Sequence, residues 1–177
     1  MRSSGVLMHL SSLPSPYGIG TMGKQAKQFV DFLEKAGQTY WQMLPICPTS
    51  YGDSPYQSPS GFAGNPYFID LDILCTKKLL KKSECKSYQW NEKDDTVDYA
   101  LLYKNRYDLL RKAKVRFFEN VPQEYGQFCE KEADWLDDFA LFMALKEAHN
   151  GAQWSEWERP LKFREAEAIA KAKDTYA

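Results

Sequence analysis

Residues 5 to 46 alternate in a way that admits few folds. "GVLMHL" (5–10) is a short apolar run closed by the loop-forming "SSLPSPYGIG". "KQAKQFVDFLEKAGQ" follows, with Ala26, Phe29, Val30, Phe32 and Leu33 on or near one helical face, and "TYWQMLPI" (39–46) is a second apolar run. Gly37, just past Lys35, suits the left-handed position that ends a helix. Strand, helix, strand in this order is the unit whose strands lie parallel with a right-handed crossover. In such units the loops leaving the carboxyl ends of the strands form the ligand face, in open sheets and barrels alike. Both long Gly/Pro/Ser-rich loops, 11–23 and 47–66, fall at that end.

Beyond residue 76 the sequence turns charged and helical, without further convincing strands. From Thr96, the residues Val97, Leu101, Tyr103, Tyr107, Leu110 and Phe117 recur at three- and four-residue steps. "DWLDDFALFMALKEAHNG" repeats the pattern through Trp135, Phe139, Phe142 and Met143, with Asp134 as the expected N-cap and Gly151 as the stop. "WSEWERPLKFREAEAIAKAKDTYA" adds a helix-breaking Pro160 and an Ala/Glu/Lys-rich stretch of high helix propensity. The lysines at 77, 78, 81 and 82 read as a solvated helix face. The expected division is 1–76, the β/α units with their loops, and 77–177, a mostly helical subdomain.

The totals narrow the partners. A chain of 177 residues can bury one ordinary core. Lys and Arg number 23 against 24 Asp and Glu, for a net charge of −1, so no basic excess points to nucleic acid or to an anionic membrane. The apolar run at 5–10 is too short for a signal-peptide core or a membrane span. Cys47, Cys75, Cys85 and Cys129 match neither a CxxC pair nor a dense disulfide scaffold and read as reduced, cytosolic thiols. Aromatic residues make up 15% of the chain, and its eleven tyrosines suit both a core and the binding of flat, hydroxyl-rich ligands.

"YGDSPYQS" (51–58) carries the most chemistry. Pro55 fixes its own φ and pushes Ser54 toward an extended conformation, so the loop is stiff without being regular. Tyr51 and Tyr56 offer ring faces to sugars, while Asp53, Ser54 and Gln57 offer hydrogen bonds to hydroxyls. The alternative is a packed surface loop with structural tyrosines. Asp70 and Asp72 in "FIDLDI" lie too close in sequence to be the two opposed carboxyls of a glycosidase, and suit a strand edge or a helix cap better. His9 falls at the expected end of the first strand, in reach of a ligand or of the core. His149 falls in the last turn of a helix, where a cation suits the dipole. Gly18, Gly20 and Gly23 spell GxGxxG ahead of a helix, but the proline-containing loop before them is unlike the tight turn of a dinucleotide site.

The chain resembles glycoside hydrolase family 77, the 4-α-glucanotransferases known as amylomaltases or disproportionating enzymes. "RSSGVLMHLSSLPSPYGIGTMG", "FVDFLEKAGQTYWQMLPICPTSYGDSPYQSPSGFAGNP", "WLDDFALFMALKE" and "WSEWERPLKFRE" carry the resemblance, in the family's order and spacing and over nearly the whole chain. It implies an α/β fold, the N-terminal part of a (β/α)8 TIM barrel with a mostly helical inserted subdomain. It implies a cytoplasmic enzyme that moves α-1,4-glucan segments from a maltooligosaccharide donor to an acceptor by a retaining mechanism, with no metal or organic cofactor. Tyr51, Asp53, Ser54, Tyr56 and Gln57 match the family's motif and become the expected glucan contacts, Tyr56 and Ser54 nearest the scissile sugar. The family's nucleophilic Asp, general-acid Glu and stabilising Asp lie in downstream segments outside this chain, so no catalytic residue is expected here. A barrel takes about 250 residues. Two strands and a helix leave a sheet uncovered, which predicts exposed apolar surface and self-association. The rival reading is a non-catalytic α-glucan-binding or interaction module.

Overall fold

A computed structural model describes residues 2–50, 52–93 and 95–176. The chain forms two compact units, Met1–Val121 and Pro122–Ala177, each with its own buried cluster, rather than the one core expected.

The first unit is built on the expected strand, helix, strand. β1 (Gly5–Leu7) and β2 (Tyr40–Gln42) pair in parallel, Val6 opposite Trp41, with α1 (Lys24–Lys35) between them in sequence. A Cβ on Gly5 would press into Tyr40, so the register needs glycine there. Trp41 locks the pair, its indole donating to the Met8 carbonyl at 2.7 Å and meeting the Phe29 ring of α1 edge-on. Gly37 sits at φ 67 and ends α1 as expected. β1 is shorter than the apolar run 5–10, because Leu10 leaves the strand for a 3-10 turn, Leu10–Ser12, and is buried there.

The glycine loop is packed against protein. Gly20 has no room for a Cβ beside the Leu10 carbonyl, and Gly23 has none beside the Asp70 carboxylate. That carboxylate accepts from the Thr21 hydroxyl at 2.6 Å and from the Ile73 amide at 2.9 Å, the latter as N-cap of α2 (Leu71–Thr76). Asp70 thus stands at the start of two helices, the position an outside anion would need. Asp72, one turn position on, accepts from the Tyr17 hydroxyl at 2.7 Å. "FIDLDI" is therefore a helix start, not a strand.

α3 (Lys82–Lys86) and α4 (Tyr99–Glu119) complete the first core with Leu10, Leu71, Cys85, Leu102 and Leu109, so the helical sequence after residue 76 belongs in part to the first unit. Lys77, Lys78, Lys81 and Lys82 are exposed at the corner between α2 and α3, not along one helix face. Asp98 caps α4. The periodicity found α4 but misjudged its phase: Leu102, Asn105, Arg106, Leu109 and Ala113 face inward, and Tyr103 is 65% exposed. Two polar residues hid the true face. Asn105 donates to the Gln89 carbonyl at 2.7 Å and Arg106 to the Ile69 carbonyl.

The second unit holds α5 (Gln123–Lys131), α6 (Leu136–Ala148), α7 (Arg159–Lys162) and α8 (Ala166–Tyr176). Leu141, Leu145, Trp157 and Ala172 form its small core, again one step from the expected Phe142 and Met143. Trp135, not Asp134, occupies the N-cap of α6. The helix stops before Gly151, whose φ of 80 and bond to the Lys146 carbonyl close the turn. No helix among the described residues is long and apolar enough to cross a membrane.

Candidate functional site

A cleft of about 240 Å³ opens in the first unit where the carboxyl ends of β1 and β2 meet the loop 47–66. His9, Ser11 and Ser12 follow β1; Leu44 and Pro45 follow β2; Thr49, Asp53 and Pro55 come from the loop; Asn65, Tyr67 and Phe68 close its far side, with Tyr99 from α4. The two Gly/Pro/Ser-rich loops gather at the strand ends as parallel topology requires.

Local chemistry sets each wall. Gly52 and Asp53 both adopt positive φ, 81 and 52, and the Asp53 amide donates to the Ser50 carbonyl at 3.1 Å. The loop then doubles back, the Ser50 amide reaching the Gln57 carbonyl and the Gln57 amide the Ser54 carbonyl, both at 3.1 Å. Asn65, buried, accepts from the Tyr67 amide at 2.9 Å and so caps the 3-10 turn Pro66–Phe68 that presents Tyr67 and Phe68. His9 meets the Phe68 ring edge-on, and its Nδ1 is buried with no hydrogen-bond partner among the described residues.

Burial biases every ionisable group in the cleft toward neutrality. It lowers the His9 imidazole and raises the Asp53 carboxyl, the latter partly offset by a hydrogen bond from Thr49. It also raises the Tyr67 and Tyr99 phenols, helped by neighbouring tyrosines at Tyr67 and by Asp53 at both. Among the described residues no lysine or arginine lines the cleft. Such a surface offers directional hydrogen bonds and ring faces to an uncharged, hydroxyl-rich ligand, and nothing to neutralise a phosphate. Among the described residues no three His, Cys, Asp or Glu side chains converge as metal ligands would.

Of the residues singled out in the sequence, Asp53 and His9 line the cleft. Ser54 is half-buried beside it and engaged by the Tyr56 amide, Gln57 is exposed, and Tyr56 is 72% exposed. Tyr51 lies outside the described residues. Tyr67, Tyr99, Asn65 and Thr49 were not foreseen; the Asn-Pro step at 65–66 was the available signal for the first wall, and Tyr99 was hidden at the head of a helix.

Parallel strands that carry a ring-lined cleft at their carboxyl ends place the chain among α/β proteins with a cleft at the usual ligand face of such folds. The particular family is settled by comparison: the family model described as 4-alpha-glucanotransferase, glycoside hydrolase family 77, matches residues 8–177, and the chain belongs to that family. It is 51% identical to the 4-alpha-glucanotransferase of Clostridium butyricum over 94% of this chain and 34% of that protein. It is 47% identical to that of Thermus thermophilus, over 99% of this chain and 35% of that protein. Its structure superposes with a TM-score of 0.95 on an amylomaltase from Streptococcus agalactiae in complex with acarbose, at 40% identity, covering 99% of this chain and 36% of the other. The chain thus spans about a third of the length of the relatives it matches.

Proposed function

We propose that this chain is the amino-terminal part of a cytoplasmic 4-α-glucanotransferase that transfers α-1,4-glucan segments between maltooligosaccharides, and that its cleft holds part of the donor glucan. The observation that carries the reading is the cleft itself: Asp53 and His9 beside Tyr67 and Tyr99, without a cationic side chain, at the carboxyl ends of parallel strands. Asp53 accepts from sugar hydroxyls, Tyr67 and Tyr99 donate to them, and half-buried Ser54 with the exposed Tyr56 and Gln57 extends the surface along the glucan, together with Tyr51 of the same motif.

The reaction is a retaining transfer: one carboxylate attacks the anomeric carbon while a second carboxyl protonates the leaving oxygen and later deprotonates the acceptor. That mechanism takes two carboxyls about 5–5.5 Å apart from different elements. Among the described residues Asp53 is the one carboxyl lining this cleft; in this reading the catalytic pair comes from the family's remaining length and the chain alone is inert. By the same reading β1 and β2 are the first strands of a (β/α)8 barrel and residues 77–177 its helical insertion. Leu7, Val30, Phe32 and Tyr40, all at least half exposed, are the surface the rest of the barrel covers; in its absence the chain self-associates through them. A non-catalytic glucan-binding module would share the cleft and differ only in the full-length protein's turnover.

Titration with a maltooligosaccharide, followed by intrinsic fluorescence, tests the reading. Saturable binding is expected, weakened tenfold or more in Asp53→Ala and less in Tyr56→Ala, with no glucose released. No saturable binding would remove the cleft from the donor site, and turnover would overturn the inertness of the chain.

A further inference from the structure

Away from the cleft, two thiols touch. Cys75 in α2 and Cys85 in α3 hold their sulfurs 3.8 Å apart, and both are free. The five residues between the helices enforce the meeting: Lys78 turns the chain at φ 61 while its amide reaches the Cys75 carbonyl, Leu79 returns to the Leu74 carbonyl, and Cys85 donates to Lys81. Cys85 is fully buried in the first core, whereas Cys75 is only partly buried against it. The acid on α2, Asp72, is engaged by Tyr17 and Lys82, and among the described residues the pair is not part of a metal-ligand cluster.

We propose that Cys75 and Cys85 are a thiol-modification site: on meeting a low-molecular-weight disulfide they close a reversible intramolecular disulfide that fastens α2 to α3. The Cys75 thiolate attacks one sulfur of the small disulfide, forming a mixed disulfide and expelling one small thiol. Cys85 then attacks the Cys75 sulfur, forming the protein bond and releasing the second small thiol. Two electrons pass from the protein to the oxidant, and the two protons lost by the cysteines end on the two released thiols. The sulfurs must close from 3.8 Å to about 2.05 Å. Burial holds the Cys85 thiol above its ordinary range, so the second step quickens as pH rises. The bond would stiffen α2 just after Phe68, a wall of the cleft.

The test is oxidation of the chain by oxidised glutathione, an acid quench, alkylation in denaturant and mass mapping of an unreduced digest. Alkylatable thiols are expected to fall from the four free in the structure to two, with a Cys75–Cys85 cross-linked peptide that dithiothreitol reverses. Cys85→Ser should stop at a glutathione adduct on Cys75. Four alkylatable thiols, a cross-link through Cys47 or Cys129, or a lasting adduct on Cys75 in the unaltered chain would each overturn the proposal. The outcome in the unaltered chain decides it even where Cys85→Ser fails to fold.

Discussion

The two compact units bury apolar residues in different ways. In the first, elements distant in sequence are tied by hydrogen bonds from buried side chains: Thr21 to Asp70, Tyr17 to Asp72, Arg106 to Ile69. In the second, most order is local to helices around a four-residue core, and the chain after α6 is drawn back by a half-exposed clasp in which His149 meets Glu158 at 2.9 Å and stacks on Trp157. A unit held by bonds from buried side chains should fail sharply when one of those side chains is removed; a unit held by an exposed charge pair should respond to pH instead.

The largest expected effect is in the first unit. Arg106→Ala removes a fully buried side chain and orphans the Ile69 carbonyl, at a cost of about 3 kcal/mol. Arg106→Met should recover most of that loss, because the Nε and Nη1 of Arg106 have no hydrogen-bond partner among the described residues and their burial costs stability. Urea unfolding monitored by fluorescence measures both, and an Ala variant as stable as the unaltered chain would break the contrast.

The next effect belongs to the second unit. Both ring nitrogens of His149 face acceptors, Glu158 and the Leu145 carbonyl, so its pKa is raised. That contribution is fully present below the ordinary value of 6.5 and is lost as pH rises through the raised one. Glu158 is lowered by the same bond, so its contribution is present above 4.5 and lost as pH falls through the lowered value. Melting of the second unit should therefore weaken from mildly acid to alkaline pH, and His149→Gln should flatten that slope. An unchanged slope in the variant would remove His149 as its cause.

The smallest effect is expected at Lys82, whose 3.5 Å pair with Asp72 is largely exposed; Lys82→Ala should shift stability by no more than about 0.5 kcal/mol. A larger loss would mean that surface pairs also carry the first unit.

What could be read from residues alone follows the same divide. The strand-helix-strand unit, the end of α1 at Gly37, and His149 at a helix terminus were legible because each is set by local pattern or local turn chemistry. The inward face of α4 was not, since Asn105 and Arg106 occupy it and their acceptors lie on other elements. Asp70 could be narrowed to a cap or a strand edge, but its second attachment, to Thr21, spans 49 residues. The cleft was half visible: its loops announced themselves by composition, whereas Tyr67 and Tyr99 come together only through tertiary packing, their rings 6.2 Å apart.

Because one carboxylate serves both Thr21, in the loop before α1, and the amide that opens α2, neither α2 nor that loop can shift without giving up a hydrogen bond to it. Phe68 and Tyr67, immediately upstream, inherit that restraint. A wall fixed in this way has little conformational entropy left to lose when a ligand enters, so its contacts count toward affinity almost in full.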